Sequence, residues 1–391
     1  LIIMFDSIKL ILKVFQEAIL IYYYRFNKYH ELEGNSIRNI FYLFGPTGIK
    51  IGQVLSHRID IFNPNVCKAL SELTDNVIIN DNNDEDDILN YVKKYINYES
   101  TPIRIGSGCI AVTYSCVLKD KHILLKVKRQ NIEKKLIESY NNLYSILWFF
   151  SNFGIIDYDN KLEKIKDTLL RQTDFELEID ELEYFYSKYK NNNEIVIPKV
   201  YRHLSNETII AQEYLIGKSL KDINSKERLE YGNILWNFSY ESSFIDGHWH
   251  SDLHKGNIIF LDDNRIGIID YGLTGVLNSF ERAVLLNYNS HILKREWHQA
   301  ARLYVTKMTE KRIRLKRHDF VDDISQILEN NFDSDPNIPK CVSELATCSR
   351  KYGTNFNNKY VQFELAFSTF SFTMSELGYP NIYDFMRKQI L

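Results

Sequence analysis

Apolar positions at the start of the chain recur at helical intervals. Phe5, Ile8, Leu12, Phe15, Ile19 and Tyr22 step by three and four, which gathers their side chains on one face of an α-helix. The simplest reading packs that stripe against the body of the protein, and the alternative lays the helix on a membrane surface. Asp6, Lys9, Lys13 and Glu17 interrupt the stretch and argue against both a membrane span and a signal-peptide core. It also lacks the Arg-rich, acid-poor pattern of a transit peptide. Because the chain opens on Leu1 rather than Met, an incomplete N-terminus is expected. Helical patterning continues through residue 78 with a break at Gly45-Pro46-Thr47-Gly48, and Asn80–Asp87 is a polar, acidic loop.

The pattern then changes. Thr113–Leu118 and His122–Val127 are short apolar runs separated by Lys119-Asp120, which predicts a β-hairpin. Helical periodicity returns over Asn131–Lys190, interrupted near Asn152-Phe153-Gly154. Glu194–Val200 and Glu207–Glu213 read as strands. So do Asn257–Leu261 and Arg265–Asp270, joined by Asp262-Asp263-Asn264 within an otherwise helical remainder. Strands early and helices afterwards predict an α+β protein. Its sections are a helical extension over 1–99, a small lobe with a helical insert over 100–215, and a helical lobe over 216–391.

Composition adds little. Apolar residues at 45% and charged residues at 25% describe an ordinary globular chain, and a net charge of −3 offers no basic field for nucleic acid. The five cysteines, Cys67, Cys109, Cys116, Cys341 and Cys348, show no CxxC or zinc spacing. That usage fits an intracellular, reducing compartment without structural zinc.

Chemistry concentrates at His250-Ser251-Asp252-Leu253-His254-Lys255-Gly256-Asn257, followed by Asp270-Tyr271-Gly272. Phosphoryl transfer needs a carboxylate to align the acceptor, ligands for a divalent cation, and groups that hold phosphates. Asp252 precedes Asn257 by the interval that separates the aligning Asp from the metal-binding Asn in a kinase catalytic loop. Two short strands then lead to an Asp-aromatic-Gly. Asp270 is positioned to bridge Mg²⁺ between phosphates, with Gly272 permitting a sharp backbone turn beside it. His250 and His254 are expected to be structural hydrogen-bonders in this loop. Gly106-Ser107-Gly108-Cys109 precedes the first strand of the hairpin and would let backbone N–H groups approach phosphates. Lys126, on the next strand, would contact the α- and β-phosphates if a helix carboxylate held it.

Further motifs make the chain resemble the ABC1/UbiB/ADCK (AarF-type) atypical kinases from about residue 38 to 300. Lys50-Ile51-Gly52-Gln53 looks like the family's KxGQ motif, and Leu55–Asp60 and Leu70–Leu73 match its extension. Gly106–Ala111 resembles the family's nucleotide loop, which is often alanine-rich and here carries two glycines. Within Asp174-Phe175-Glu176-Leu177-Glu178, the resemblance makes Glu178 the helix carboxylate that pairs with Lys126. Asp174 then matches the aspartate of the family's ExD motif, which contacts the KxGQ segment, and Gln172 stands in place of its glutamate. Pro198–Tyr201 and Glu213-Tyr214-Leu215-Ile216-Gly217 also match, and Glu213 and Leu215 would be hinge residues whose backbone bonds an adenine edge.

The resemblance implies a bilobal protein-kinase-like fold that binds ATP and Mg²⁺, with Lys50 and Gln53 reaching the nucleotide site. Asp252, Lys126 and Glu178 would be catalytic, and Asn257 and Asp270 would hold the metal. The family's extension folds over the place where a kinase seats a protein. This implies ATP hydrolysis, or a small or lipid-linked acceptor, in support of ubiquinone or other isoprenoid-lipid metabolism, with a lipid or membrane surface as a candidate partner. Two alternatives stand beside it. One is a small-molecule phosphotransferase of the aminoglycoside or choline kinase type, and the other is a nucleotide-binding regulator without turnover.

Overall fold

The computed structural model describes residues 2–56, 63–74, 84–96, 100–152, 162–310, 317–333 and 336–390. The chain divides into two compact units, Leu1–Tyr184 with Pro198–Tyr214, and Phe185–Ile197 with Leu215–Leu391.

The first unit begins with helices α1 (Ile2–Phe26), α2 (His30–Leu43), α3 (Gly45–Leu55), α4 (Pro64–Ser71) and α5 (Asp84–Tyr95). The break at Gly45 is real, since this residue has φ +58°, a conformation only glycine adopts without strain. Pro46 follows in the first turn of α3, where its missing N–H costs nothing. Helix α1 packs through Leu10, Ile11 and Val14 against Phe44, Leu143 and Ile146. The sequence-predicted packing stripe is therefore corrected, because Leu12, Phe15, Ile19 and Tyr22 face solvent. Phe5 and Ile8 have side chains outside the described set. The helix is apolar on more than one side, so periodicity identified it without identifying the face its neighbours cover.

Strands β1 (Ile103–Ser107), β2 (Ala111–Leu118) and β3 (Lys121–Lys128) follow, then helices α6 (Ile132–Asn152), α7 (Leu162–Arg171) and α8 (Phe175–Tyr189). After the short β4 (Ile195–Val196), which belongs to the second unit, β5 (Ile209–Glu213) completes an antiparallel sheet in the order β1-β2-β3-β5. The hairpin turn is Lys119-Asp120, with φ of 47° and 60°, a mirror-image turn that suits the twist of two paired strands. Strand alternation then does the sorting. Ile123, Leu125 and Val127 join Val112, Tyr114 and Cys116 in a core covered by Ile88 and Val92 of α5 and by Ile96 just after it. Each such side chain contributes roughly 1.5–3 kcal/mol on burial.

The second unit contains α9 (Ser225–Tyr240) and four short strands, β6 (His248–His250), β7 (Ile258–Phe260), β8 (Ile266–Ile268) and β9 (Thr274–Val276). Strands β4, β8 and β7 form one small sheet, and β6 and β9 form another. Helices α10 (Ser279–Leu293), α11 (Trp297–Leu303), α12 (Arg317–Phe332), α13 (Ile338–Lys351), α14 (Asn358–Glu376) and α15 (Ile382–Ile390) complete it. All five cysteines are buried free thiols. Among the described residues no helix is long and apolar enough to cross a membrane.

Candidate functional site

Lys126 occupies an even position of β3, so it leaves the α5 core and points the other way, toward α8. Asp174 starts that helix by accepting a bond from the Leu177 N–H at 3.1 Å, an N-cap. One turn later, Glu178 Oε1 lies 2.6 Å from Lys126 Nζ, with the glutamate side chain only 2% exposed. A carboxylate this deep needs a cation and hydrogen bonds to offset its lost hydration. Phe175, fully buried, has its ring centroid 5.7 Å from Lys126 Nζ and 5.2 Å from Lys128 Nζ, so two ammonium groups share one ring.

The glycine loop is held from below. Arg129, the residue after β3, is 4% exposed. Its Nη2 donates to Ser107 Oγ at 2.8 Å and its Nε to the Gly108 carbonyl at 3.0 Å. The Arg129 N–H bonds Ile110 O and the Gly108 N–H bonds Ala111 O, each at 2.9 Å. At Gly106 a Cβ would stand 2.6 Å from Thr113 Oγ1, so a side chain there would force that threonine to move. Ser107 and Cys109 are buried and face the protein. Arg129 has the strand parity of Leu125 and Val127, and an arginine at an inward position was the overlooked signal for this clamp.

The remaining first-unit candidates are placed as follows. Gln53 Nε2 donates to Leu73 O at 2.9 Å. The start of α3 is fastened to α6 by Thr47, whose N–H donates to Ser139 Oγ and whose Oγ1 donates to Leu136 O, each at 3.0 Å. Lys50 forms no ion pair with Asp174, which serves as the α8 cap. Gln172 Oε1 is buried without a hydrogen-bond partner among the described residues. Glu213 donates its N–H to Lys199 O at 2.8 Å and accepts from the Lys199 N–H at 3.3 Å. The chain passes from the first unit to the second between Tyr214 and Leu215.

In the second unit a local hydrogen-bond web shapes the loop after β6. His250 Nδ1 accepts from the Asp252 N–H at 3.1 Å, so the proton sits on Nε2, which faces Ile269 O at 3.2 Å. Burial lowers the His250 pKa and keeps the ring neutral. Asn257 Nδ2 donates to Asp252 O at 2.9 Å. Its backbone N–H bonds His254 O at 2.9 Å, and its carbonyl accepts from the Ile269 N–H at 3.0 Å. His254 Nδ1 accepts from the Gly256 N–H at 3.0 Å, and its Nε2 lies 3.6 Å from Asp252 Oδ2. Both histidines thus make the structural hydrogen bonds expected of them.

Asp270 has φ +61°, and its Oδ1 accepts from the Gly272 N–H at 3.2 Å. The sharp turn expected at Gly272 is therefore made by Asp270 itself. Aspartate tolerates this left-handed conformation through its short polar side chain, and such strain gathers at functional sites. Tyr271 is buried, with ring centroids 4.8 Å from His250 and 4.7 Å from Phe185. Among the described residues no cluster of three or more His, Cys, Asp or Glu side chains gathers as for a metal. The Asn257 bond through Nδ2 leaves its Oδ1 available, and with the Asp270 carboxylate that gives two hard oxygen donors. Mg²⁺ keeps several waters and takes phosphate oxygens, so this sparse set fits it.

Helix α14 buttresses the loop in a way the sequence did not announce. Thr373 Oγ1 donates to Leu253 O at 2.8 Å, and Lys255 Nζ meets Glu376 at 2.7 Å.

The chain has relatives in bacteria. An uncharacterized Synechocystis protein is 28% identical over 342 residues, covering 78% of this chain and 81% of that protein. The protein named "Probable protein kinase UbiB" from Aliivibrio fischeri is 26% identical over 307 residues, 71% of this chain and 55% of its own length. The present chain thus spans little more than half of that relative. Among solved structures, the Mycobacterium tuberculosis protein Rv3197 in complex with erythromycin aligns with a TM-score of 0.51 at 13% identity, over 85% of this chain and 89% of that one. The fold is accordingly α+β and protein-kinase-like. Residues 79–304 match the model of the ABC1 atypical kinase-like domain; Lys126, Glu178, Asp252, Asn257 and Asp270 all fall inside that match, and the chain belongs to this family.

Proposed function

We propose that the protein is an atypical kinase or ATPase that binds Mg-ATP and supports ubiquinone or other isoprenoid-lipid metabolism. The observation that carries the reading is the 2.6 Å pair of Lys126 with the buried Glu178, the arrangement by which a kinase holds the lysine that meets the α- and β-phosphates. The family membership supports it.

In this reading the Gly106–Cys109 backbone covers the phosphates, and the Glu213 and Leu215 backbone borders the adenine. Asn257 and Asp270 hold Mg²⁺, which supplies neutralisation of phosphate charge. Asp252 aligns the acceptor oxygen and takes its proton as the γ-phosphorus–oxygen bond to ADP breaks and the bond to the acceptor forms. Catalysis comes from position and electrostatics. Lys50 and Gln53 restrict the acceptor to water or to a small, lipid-linked hydroxyl.

Calorimetry with Mg-ATP and incubation of labelled ATP with a lipid extract test the proposal. Mg-ATP binding that Asp270→Asn abolishes while the fold survives is the expected result. Label released only as phosphate identifies an ATPase, and label in lipid identifies a kinase. A wild-type protein that binds no Mg-ATP overturns the enzymatic reading.

A further inference from the structure

Glu364 takes no part in the nucleotide chemistry, and the helix that carries it, α14, lies beyond the family match. Its side chain enters the interior of the second unit and is 6% exposed. A carboxylate so placed ordinarily holds a cation or several hydrogen bonds. Among the described residues Glu364 accepts no hydrogen bond and meets no lysine, arginine or histidine; burial alone perturbs it. Its surroundings are aromatic. Tyr288, Tyr304, Cys341 and Tyr383 all feel its charge, so α10, α13, α15 and the segment after α11 converge on one carboxyl group. The Tyr383 ring centroid lies 4.8 Å from that of Phe332 and 6.0 Å from that of Phe367.

The hydroxyls divide into two kinds. That of Tyr304 is engaged with Ser349 Oγ at 2.8 Å. Those of Tyr288 and Tyr383 have no partner among the described residues, although the residues are only 3% and 2% exposed. Sealed, partnerless polar atoms do occur in this unit, the Tyr271 hydroxyl and Trp249 Nε1 among them. The oxygens of Glu364, Tyr288 and Tyr383 differ in bordering open space, which accounts for part of the small surface these deeply set residues keep. A carboxylate and two phenol oxygens offer three acceptors, and an alkylammonium head has three N–H donors. Its charge offsets that of Glu364, and tyrosine faces attract it. Water would leave the carboxylate without a counter-ion. A structural metal finds no cluster of three His, Cys, Asp or Glu side chains among the described residues.

We infer that this pocket binds the ammonium head of a small primary amine, with Glu364 as its counter-ion and the Tyr288 and Tyr383 hydroxyls as its hydrogen-bond acceptors. The free protein holds the Glu364 carboxyl largely protonated below neutral pH, because burial raises its pKa to about 7. The amine enters as the ammonium ion, and the carboxyl proton leaves to solvent. The inference stands independently of the nucleotide reading, because the pocket shares no residue with the phosphate-binding set.

The test is calorimetric titration of the 391-residue protein with methylammonium and with ethanolamine, in pairs of buffers that differ in ionisation enthalpy. A group with a pKa of about 7 is about nine-tenths protonated near pH ~6 and about one-tenth protonated near pH ~8, so binding should release about 0.9 proton at the lower pH and about 0.1 at the higher. Glu364→Gln keeps the shape of the side chain and should lose both the proton release and about tenfold or more in affinity. Tyr383→Phe should weaken binding while keeping the release. Tetramethylammonium, which has no N–H, should bind about tenfold or more weakly than methylammonium. Proton release is read on the wild-type protein alone, so the proposal stays testable even where a variant does not fold. Absence of binding by both primary amines, binding without proton release, undiminished affinity in Glu364→Gln, or equal binding of tetramethylammonium or potassium would each overturn the proposal, the last assigning the pocket to a cation that donates no hydrogen bonds.

Discussion

Glu364 offers a sharp test of how the second unit is held together. It sits in α14 at 6% exposure, and Tyr288 of α10, Tyr304, Cys341 of α13 and Tyr383 of α15 are the titratable groups whose own pKa values respond to it. Burial raises its pKa from 4.5 to about 7, since the charged form loses its hydration. The folded pKa of this acid lies above its unfolded value. Between pH 4.5 and about 7 the folded state therefore binds the extra proton, and stability falls as pH rises. That rise corresponds to roughly 3 kcal/mol of stability lost once the carboxylate must ionise in place. The penalty is complete above the folded pKa. Glu364→Gln removes the titration while keeping shape, so the variant should match wild type near about pH 4.5 and exceed it by roughly 3 kcal/mol at about pH 8. Urea unfolding followed by far-ultraviolet circular dichroism across this range reads the difference directly, and taking it against wild type cancels every other titrating group. Parallel stability curves for the two proteins would refute the argument, because they would mean Glu364 carries no excess proton in the folded state.

Three further outcomes follow from the site. Lys126→Met removes the cation beside the buried Glu178 and should cost on the order of 3 kcal/mol in unfolding; Lys126→Met/Glu178→Gln should recover most of that stability, yet neither variant should bind Mg-ATP by calorimetry. Arg129→Met frees Ser107 and Gly108, so nucleotide affinity should fall about tenfold, or ~1.4 kcal/mol, with Mg²⁺ dependence intact; an unchanged titration curve removes the clamp from the account. His250 has its pKa lowered below 6.5 by burial, so the stability it contributes is full above that pH and is lost as pH falls through the lowered value. A thermal-melt series from about pH 7 to about pH 5 should show a decline that His250→Gln flattens.

Local chemistry was the most legible part of the sequence. Asp252 and Asn257 are joined by a bond across five residues, so the interval visible in the sequence is itself the structure. The hairpin was equally plain, because strand alternation flanks a two-residue turn. The Lys126–Glu178 partnership came from resemblance, since no local rule connects residues 52 apart in the chain. The face of α1 was misread because amphipathic periodicity fixes an element but does not say which neighbour claims which side. Thr373 and Glu376 were invisible for a related reason, as they meet the loop across 120 and 121 residues. Arg129 could have been found: an arginine with core parity next to a glycine pair asks what it bonds.

The five buried thiols give the protein an internal set of clocks. Cys67 lies in α4, Cys109 in the glycine loop, Cys116 in the sheet, and Cys341 and Cys348 in α13. Each can react with a small alkylating reagent only when its surroundings open. Burial pushes the Cys341 thiol well up and that of Cys348 to about 11, which slows their reaction further even after partial opening. Modification times measured by mass spectrometry, cysteine by cysteine, would therefore rank the opening free energies of the extension, the loop, the sheet and the helical unit without adding a probe. Nucleotide that closes the glycine loop would register as a delay at Cys109 alone.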